Sequence, residues 1–171
     1  MTPSAFAELF DAHWPRVCAY VARRGRREGV EDVAAEVFAI AWRRRDKLPS
    51  DPLPWLLRTA RNVLSNQRRA DATREAIPFR IVATPYAASS ADVASSREDA
   101  RAVIAALARL DGSDREVIML IHWDGLTAAQ AARVVGCSHV AARARLMRAR
   151  RRLAAALEDP APAVHCLGET A

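Results

Sequence analysis

The chain has 171 residues, a formal net charge of +6 and an isoelectric point near 10.2. That length holds one medium domain or two small ones. The basic balance points to a polyanionic partner, because neutralising phosphates releases their condensed counterions. No apolar run approaches the ~20 residues that cross a bilayer, and the start, MTPSAFAELFDAHW, lacks the basic-then-apolar order of a secretion signal. A cytoplasmic protein without a membrane span is expected. Cys18, Cys137 and Cys166 are widely spaced with no C-x-x-C pair. The first two read as buried small hydrophobes. His165-Cys166 would make only a weak metal or redox site, so no metal and no cofactor is expected.

In chain order, Ser4 can cap a first helix whose apolar positions include Phe6, Leu9, Phe10, Val17 and Val21. Pro15 falls inside it, predicting a kink or restart. A second amphipathic helix is predicted over residues 30–46, with Val33, Val37, Phe38, Ile40, Ala41 and Trp42 apolar. Its early acids and late arginines suit the helix dipole, which is their simplest explanation. Prolines at 49, 52 and 54 predict a loop. A third helix then runs from Trp55 to about residue 72, with Trp55, Leu56, Ala60, Val63 and Leu64 inside. Arg58, Arg61, Asn62, Gln67, Arg68 and Arg69 lie on its outer side. Residues 73–96 read as a flexible linker, with a short strand at Phe79, Ile81 and Val82 unsupported. Helices resume at Arg97, and Ser113 with Glu116 predicts a capping box. Residues 159–171 form a Pro- and Ala-rich tail expected to be disordered.

Residues 126–157 contain seven arginines and no carboxylate. Thr127 and Gln130 form a capping box, Gly136 ends the short helix, and Ser138 caps a longer one. Ala132 lies where the two helices cross. A tight glycine turn between two helices, the second rich in arginine, is the layout of a helix-turn-helix. An ordinary amphipathic pair with a solvated basic face is the bland alternative. One lysine against twenty-five arginines also shows a general arginine bias, but such a bias does not remove acids from thirty residues. The chain is thus all-α, with two small helical domains at residues 1–72 and 97–158.

These stretches carry a family resemblance covering residues 6–157. EDVAAEVFAIAWRRRDKL, PWLLRTARNVLSNQRR and LARLDGSDREVIMLIHWDGLTAAQAARVVGCSHVAARARLMRARRRL follow the order and spacing of an extracytoplasmic-function sigma factor of the sigma-70 family. The resemblance implies sigma domain 2, a linker and sigma domain 4, and an alternative sigma factor that binds bacterial core RNA polymerase and directs promoter-specific initiation. It implies that Asp32, Glu36, Val37, Phe38, Ile40 and Trp42 dock on the polymerase. It assigns the melted minus-ten strand to Lys47, Trp55, Arg58, Arg61, Asn62, Arg68 and Arg69. Cations there track the backbone while Asn62 and Trp55 can bond or stack an unpaired base; for Trp55 a core role is favoured. The minus-thirty-five duplex falls to Arg133, Ser138, His139, Ala141, Arg143, Arg145, Arg148 and Arg150. His139, Ala141, Arg143 and Arg145 stand nearest the bases, and arginine is the natural reader of guanine. Arg133, Arg148, Arg150 and Arg151 are expected on phosphates. An anti-sigma protein is an implied partner, and the free chain is expected to be a monomer.

Three departures from the family pattern stand out. Ala35 replaces a usual glutamine, Ala142 a β-branched residue and Cys137 an aliphatic one, which predicts looser packing of the helix-turn-helix. The rival reading is a free-standing helix-turn-helix regulator. It leaves the second basic helix beside an acidic one without a purpose. Four scattered histidines and no catalytic motif argue against an enzyme.

Overall fold

The computed structural model describes residues 1–25, 29–72 and 93–158. Among these are seven α-helices and one 3-10 turn, with no strand. The all-α class with two helical units is as expected. Most of the linker, with Phe79, Ile81 and Val82, and the tail with His165 and Cys166 lie outside the described residues.

The first unit packs α1 (Pro3–Arg24), α2 (Val30–Arg43) and α3 (Leu53–Ala72). Thr2 rather than Ser4 caps α1, accepting from the Ala5 amide at 3.3 Å. Pro3 then occupies the first turn, where a missing N–H costs nothing. Pro15 does not restart the helix, which runs through it. The lost backbone bond is offset by ring packing around that point, where Phe10 stacks on Trp14 at 4.8 Å and meets Phe38 at 4.7 Å. α2 ends earlier than expected, giving way to the 3-10 turn Arg45–Lys47. α3 begins earlier than expected, because Pro54 falls in its first turn and is tolerated there. Val17, Tyr20, Val33, Val37, Phe38, Leu56, Leu57 and Ala60 fill the centre of this unit.

The second unit comprises α4 (Val93–Ala108), α5 (Gly112–His122), α6 (Ala128–Val135) and α7 (His139–Glu158). Leu107, Leu110, Ile118 and Ala149 form its own small core. The capping box expected at Ser113 and Glu116 does not form. Asp111 holds the cap position without a side-chain capping bond, its carboxylate taken by Arg152, and Glu116 reaches to Arg24 instead. A charge-assisted pair with a guanidinium outweighs one neutral capping bond. The helix-turn-helix forms as the local chemistry predicts. Gln130 N donates to Thr127 Oγ1 at 3.2 Å and Thr127 N to Gln130 Oε1 at 2.9 Å. Gly136 closes α6 at φ +77°, and Ser138 Oγ accepts from Ala141 N at 3.1 Å to open α7.

The two units share one core. Leu120, Leu126, Ala131 and Val134 of the second are buried against the first. An ionic cluster closes this seam. Arg24 Nε donates to both Glu116 oxygens at 3.0 and 2.9 Å, and its Nη2 to Asp124 Oδ2 at 2.8 Å. Arg23 bonds the other Asp124 oxygen, and Arg16 donates to the Asp124 carbonyl at 2.7 Å. Tyr20 Oη donates to Glu116 at 2.9 Å, beneath an Arg24 guanidinium that lies 4.0 Å over its ring. Burial and then Glu116 push the Tyr20 hydroxyl well above its usual pKa. Burial works against the charge on Arg24, but Glu116, with Tyr20 and Asp124, outweighs it and keeps the guanidinium protonated.

Candidate nucleic-acid interface

α7 presents its arginines on a helix anchored from behind. Ala142 and Ala149 are wholly buried, with Leu146 and Leu153 packed beside Ala149. The small Ala142 lets α7 approach closely, so the looser packing expected there is not seen at that residue. Cys137 is half-buried, as is Cys18. Of the expected minus-thirty-five residues, Ser138, His139 and Arg143 are exposed, while Ala141 and Arg145 are half-buried. Arg143, Arg145 and the exposed Arg151 have no ion pair with a described residue.

Two arginines expected on phosphates are engaged within the protein. Arg148 donates from Nε and Nη2 to Asp114 at 3.3 and 3.0 Å, and that carboxylate is 2 % exposed. Arg148 therefore pins α7 to α5, because a buried carboxylate requires a partner. Arg133 pairs with Asp51 of the first unit at 2.7 Å, and Gln130 bonds the same oxygen at 3.1 Å. Arg150 lies 3.4 Å from His122 Nε2.

α3 carries the cationic outer side as expected. Arg58, Arg61, Asn62, Arg68 and Arg69 are exposed, and Lys47 ends the preceding turn in solvent. Trp55 is half-buried against the core, in keeping with the favoured core role. Arg58 faces the helix-turn-helix. Its Nη1 donates to the Arg133 carbonyl at 3.5 Å, and a Cβ placed on Gly136 would stand 3.6 Å from its Nη2. Arg68 bonds the Arg24 carbonyl and Arg69 bonds Asn66.

On α2, Asp32 and Glu36 are exposed, Ile40 is half-buried, and Trp42 is 38 % exposed between Phe6 and Arg45. Val37 and Phe38 need correcting as candidate polymerase contacts. At 0 and 3 % exposure they belong to the inner face with Val33, Ala34 and Ala41, and they hold the helix rather than face a partner.

Two further features carry little or no local signal in the sequence. Arg24 with Asp124 carried no local signal, being a hundred positions apart. Val140 and Met147, at 76 and 74 % exposure, were legible from the helical spacing that turns Ala142 and Ala149 inward.

The arrangement defines a DNA-binding protein class: a helix-turn-helix whose free arginines face outward, joined to a second helical unit with its own cationic face. Comparison with known proteins narrows this. Residues 9–74 match the family described as Sigma-70 region 2, and residues 100–153 match Sigma-70, region 4. The chain is 33% identical over 165 residues to RNA polymerase sigma factor NccH of Alcaligenes xylosoxydans xylosoxydans, covering 91% of this chain and 88% of that one. It is 27% identical over 155 residues to the ECF RNA polymerase sigma factor SigL of Mycobacterium tuberculosis, covering 88% of each. A match to the probable RNA polymerase sigma factor RfaY of Xanthomonas campestris, 35% identical over 127 residues, covers 70% of this chain but spans only 32% of that protein. Among solved structures, CnrH in complex with the cytosolic domain of CnrY superposes with a TM-score of 0.63 at 26% identity, covering 94% of this chain and 92% of that one. The chain belongs to the sigma-70 family, in its extracytoplasmic-function group. It is an alternative sigma factor directing transcription, and the free-standing regulator is not favoured. No helix among the described residues is long and apolar enough to cross a membrane.

Proposed function

We propose a division of labour among three exposed faces. The acidic and apolar outer face of α2, with Asp32, Glu36, Ile40 and Trp42, docks on core polymerase. The cationic side of α3, with Lys47, Arg58, Arg61, Asn62, Arg68 and Arg69, holds the melted minus-ten strand. α7 enters the major groove at minus thirty-five through His139, Arg143 and Arg145, assisted by Arg133 and Arg150 on phosphates. The polymerase supplies the catalysis, so the factor works in the cytoplasm without a cofactor or active site of its own. The observation that carries this reading is that α2, α3 and α7 each turn one chemically distinct face outward while their inner faces share packed cores.

The reading also requires movement. The two promoter elements lie on the order of 80 Å apart along B-DNA, whereas Arg58 and Arg133 touch. The units therefore separate on the promoter, and the two sites then act as a tethered bivalent reader. An anti-sigma protein that holds them closed is a natural partner, as CnrH is bound to the cytosolic domain of CnrY.

Run-off transcription with core polymerase on pooled promoter fragments tests the assignment. Defined transcripts are expected, lost with Arg143→Ala plus Arg145→Ala and separately with Asp32→Ala plus Trp42→Ala. Transcription that survives the second pair would move the docking surface away from α2.

A further inference from the structure

α7 has one feature that an arginine-mediated grip on DNA leaves unused. Val140 and Met147 are 76 and 74 % exposed, while no other large hydrophobic residue among those described exceeds 44 %. They are not at a frayed end or in a loop. Both lie in the first half of α7, and Ala144, also exposed, sits between them. Positions 140, 144 and 147 are spaced by four and three, so they form one stripe. The stripe runs along the side of the helix opposite the buried Ala142 and Ala149. Arg143 and Arg151 are exposed beside and below it, with no ion pair to a described residue. Large apolar side chains held in water on a rigid helix cost free energy, and such patches mark interaction sites.

The surrounding charge identifies the occupant. No carboxylate occurs on α7 before Glu158, and of the exposed arginines around the stripe those at 143, 150 and 151 have no ion pair with a described residue, while Arg148 and Arg152 pair with Asp114 and Asp111 of the neighbouring α5 segment. A polyanion fits that rim, whereas a stripe meant for another basic or neutral helix would not be so encircled. The major groove of duplex DNA combines both requirements. Its edges carry phosphates, and its floor offers one apolar group, the thymine C5-methyl.

Resting on the assignment of α7 as the minus-thirty-five reader, we propose that Val140 and Met147 select thymine by contact with its methyl group. Ala144 between them leaves room for the groove floor, and Arg143 supplies the neighbouring guanine or phosphate contact. The seven-residue separation places the two side chains about 10 Å apart along the helix. That corresponds to two thymines about three base-pair steps apart. Thymine choice at these positions then belongs to Val140 and Met147, and affinity belongs to the arginines.

Deoxyuridine, which lacks only the methyl, provides the test. Holoenzyme assembled from core polymerase and the full chain selects its preferred fragment from a promoter pool. Each upstream thymine is then replaced singly by deoxyuridine and the dissociation constant measured. Two positions are expected to lose about fourfold in affinity, the worth of one buried methyl-sized group. Val140→Ala should abolish the thymine preference at one position and Met147→Ala at the other, each leaving the other position unchanged. Both residues are exposed, so the variants should keep the helical circular dichroism of the parent. Equal binding of thymine and deoxyuridine at every upstream position, with an intact upstream footprint, would overturn the methyl contact alone. Absence of any upstream footprint would remove α7 as the reader and this proposal with it. Weaker association of both variants with core polymerase, with thymine preference retained, would assign the stripe to the polymerase and overturn the proposal.

Discussion

Arg24, the last residue of α1, places its Nη2 2.8 Å from Asp124, in the turn that leads into the helix-turn-helix, and both side chains are 3 % exposed. Because the same guanidinium grips Glu116, one buried cation answers two carboxylates of the other unit. Removing it leaves Glu116 with the Tyr20 hydroxyl and Asp124 with Arg23, each short of its main charged bond across the seam. Arg24→Ala is expected to reduce the free energy of unfolding by about 1.5–3 kcal/mol, the worth of lost hydrogen bonds to charged groups whose other partners remain. The radius of gyration in small-angle scattering should rise while helix content is retained. A variant as compact as the parent would show that the apolar seam alone holds the units together.

The second bridge across the seam should behave differently. Asp51 and Arg133 are 39 and 53 % exposed, so Asp51→Asn should change stability by less than about 1 kcal/mol. The Gln130 hydrogen bond, and then Arg133, hold the Asp51 carboxyl below its usual pKa. A lowered carboxylate stabilises above its unfolded pKa and loses that contribution as pH falls through the folded value. The effect of Asp51→Asn is therefore expected to be constant near neutrality and to vanish only in strong acid, as denaturant titrations across pH would show.

His13 gives the chain a milder pH response. Burial, and then the nearby Arg16 charge, push its imidazole below the ordinary 6.5, with Asp51 pulling weakly the other way. The folded state thus binds fewer protons than the unfolded one below that value. Stability should be full above about pH 7 and decline as pH falls through 6.5. His13→Phe should flatten the slope that sets in as pH falls through the ordinary imidazole value of 6.5, measured by chemical denaturation.

Gly136 lies at φ +77° in the turn of the helix-turn-helix. A side chain there meets the left-handed penalty whatever space surrounds it, so Gly136→Ala is expected to cost about 1–2 kcal/mol. Urea unfolding monitored by circular dichroism would measure this. An unchanged midpoint would mean that the turn relaxes to a different backbone path.

The parts of the fold readable in the sequence were those decided within a few residues. Thr127, Gln130, Gly136 and Ser138 form the expected caps because each donor and acceptor pair is three or four positions apart. Glu116 departs from the expected cap for the opposite reason: its partner, Arg24, lies 92 positions away. Pro15 and Pro54 do not break their helices, since packing offsets one lost bond and a first turn has none to lose. At the candidate site, the arginine pattern identified α7 but drew attention from Val140 and Met147. Arg148, expected on a phosphate from the family resemblance, answers the buried Asp114. Val37 and Phe38 followed from a resemblance that marks a whole helix, whereas burial separates its two faces.

The seam between the two units has a quantitative consequence for any ligand that needs them apart. Such a ligand sees only the open fraction of molecules, and its apparent dissociation constant rises by the reciprocal of that fraction. A closed state favoured by about 2.8 kcal/mol would leave roughly one molecule in a hundred receptive. The number of copies in a cell and the number able to respond are then separate quantities, with the shared apolar core and the Arg24–Glu116–Asp124 cluster together setting the ratio between them.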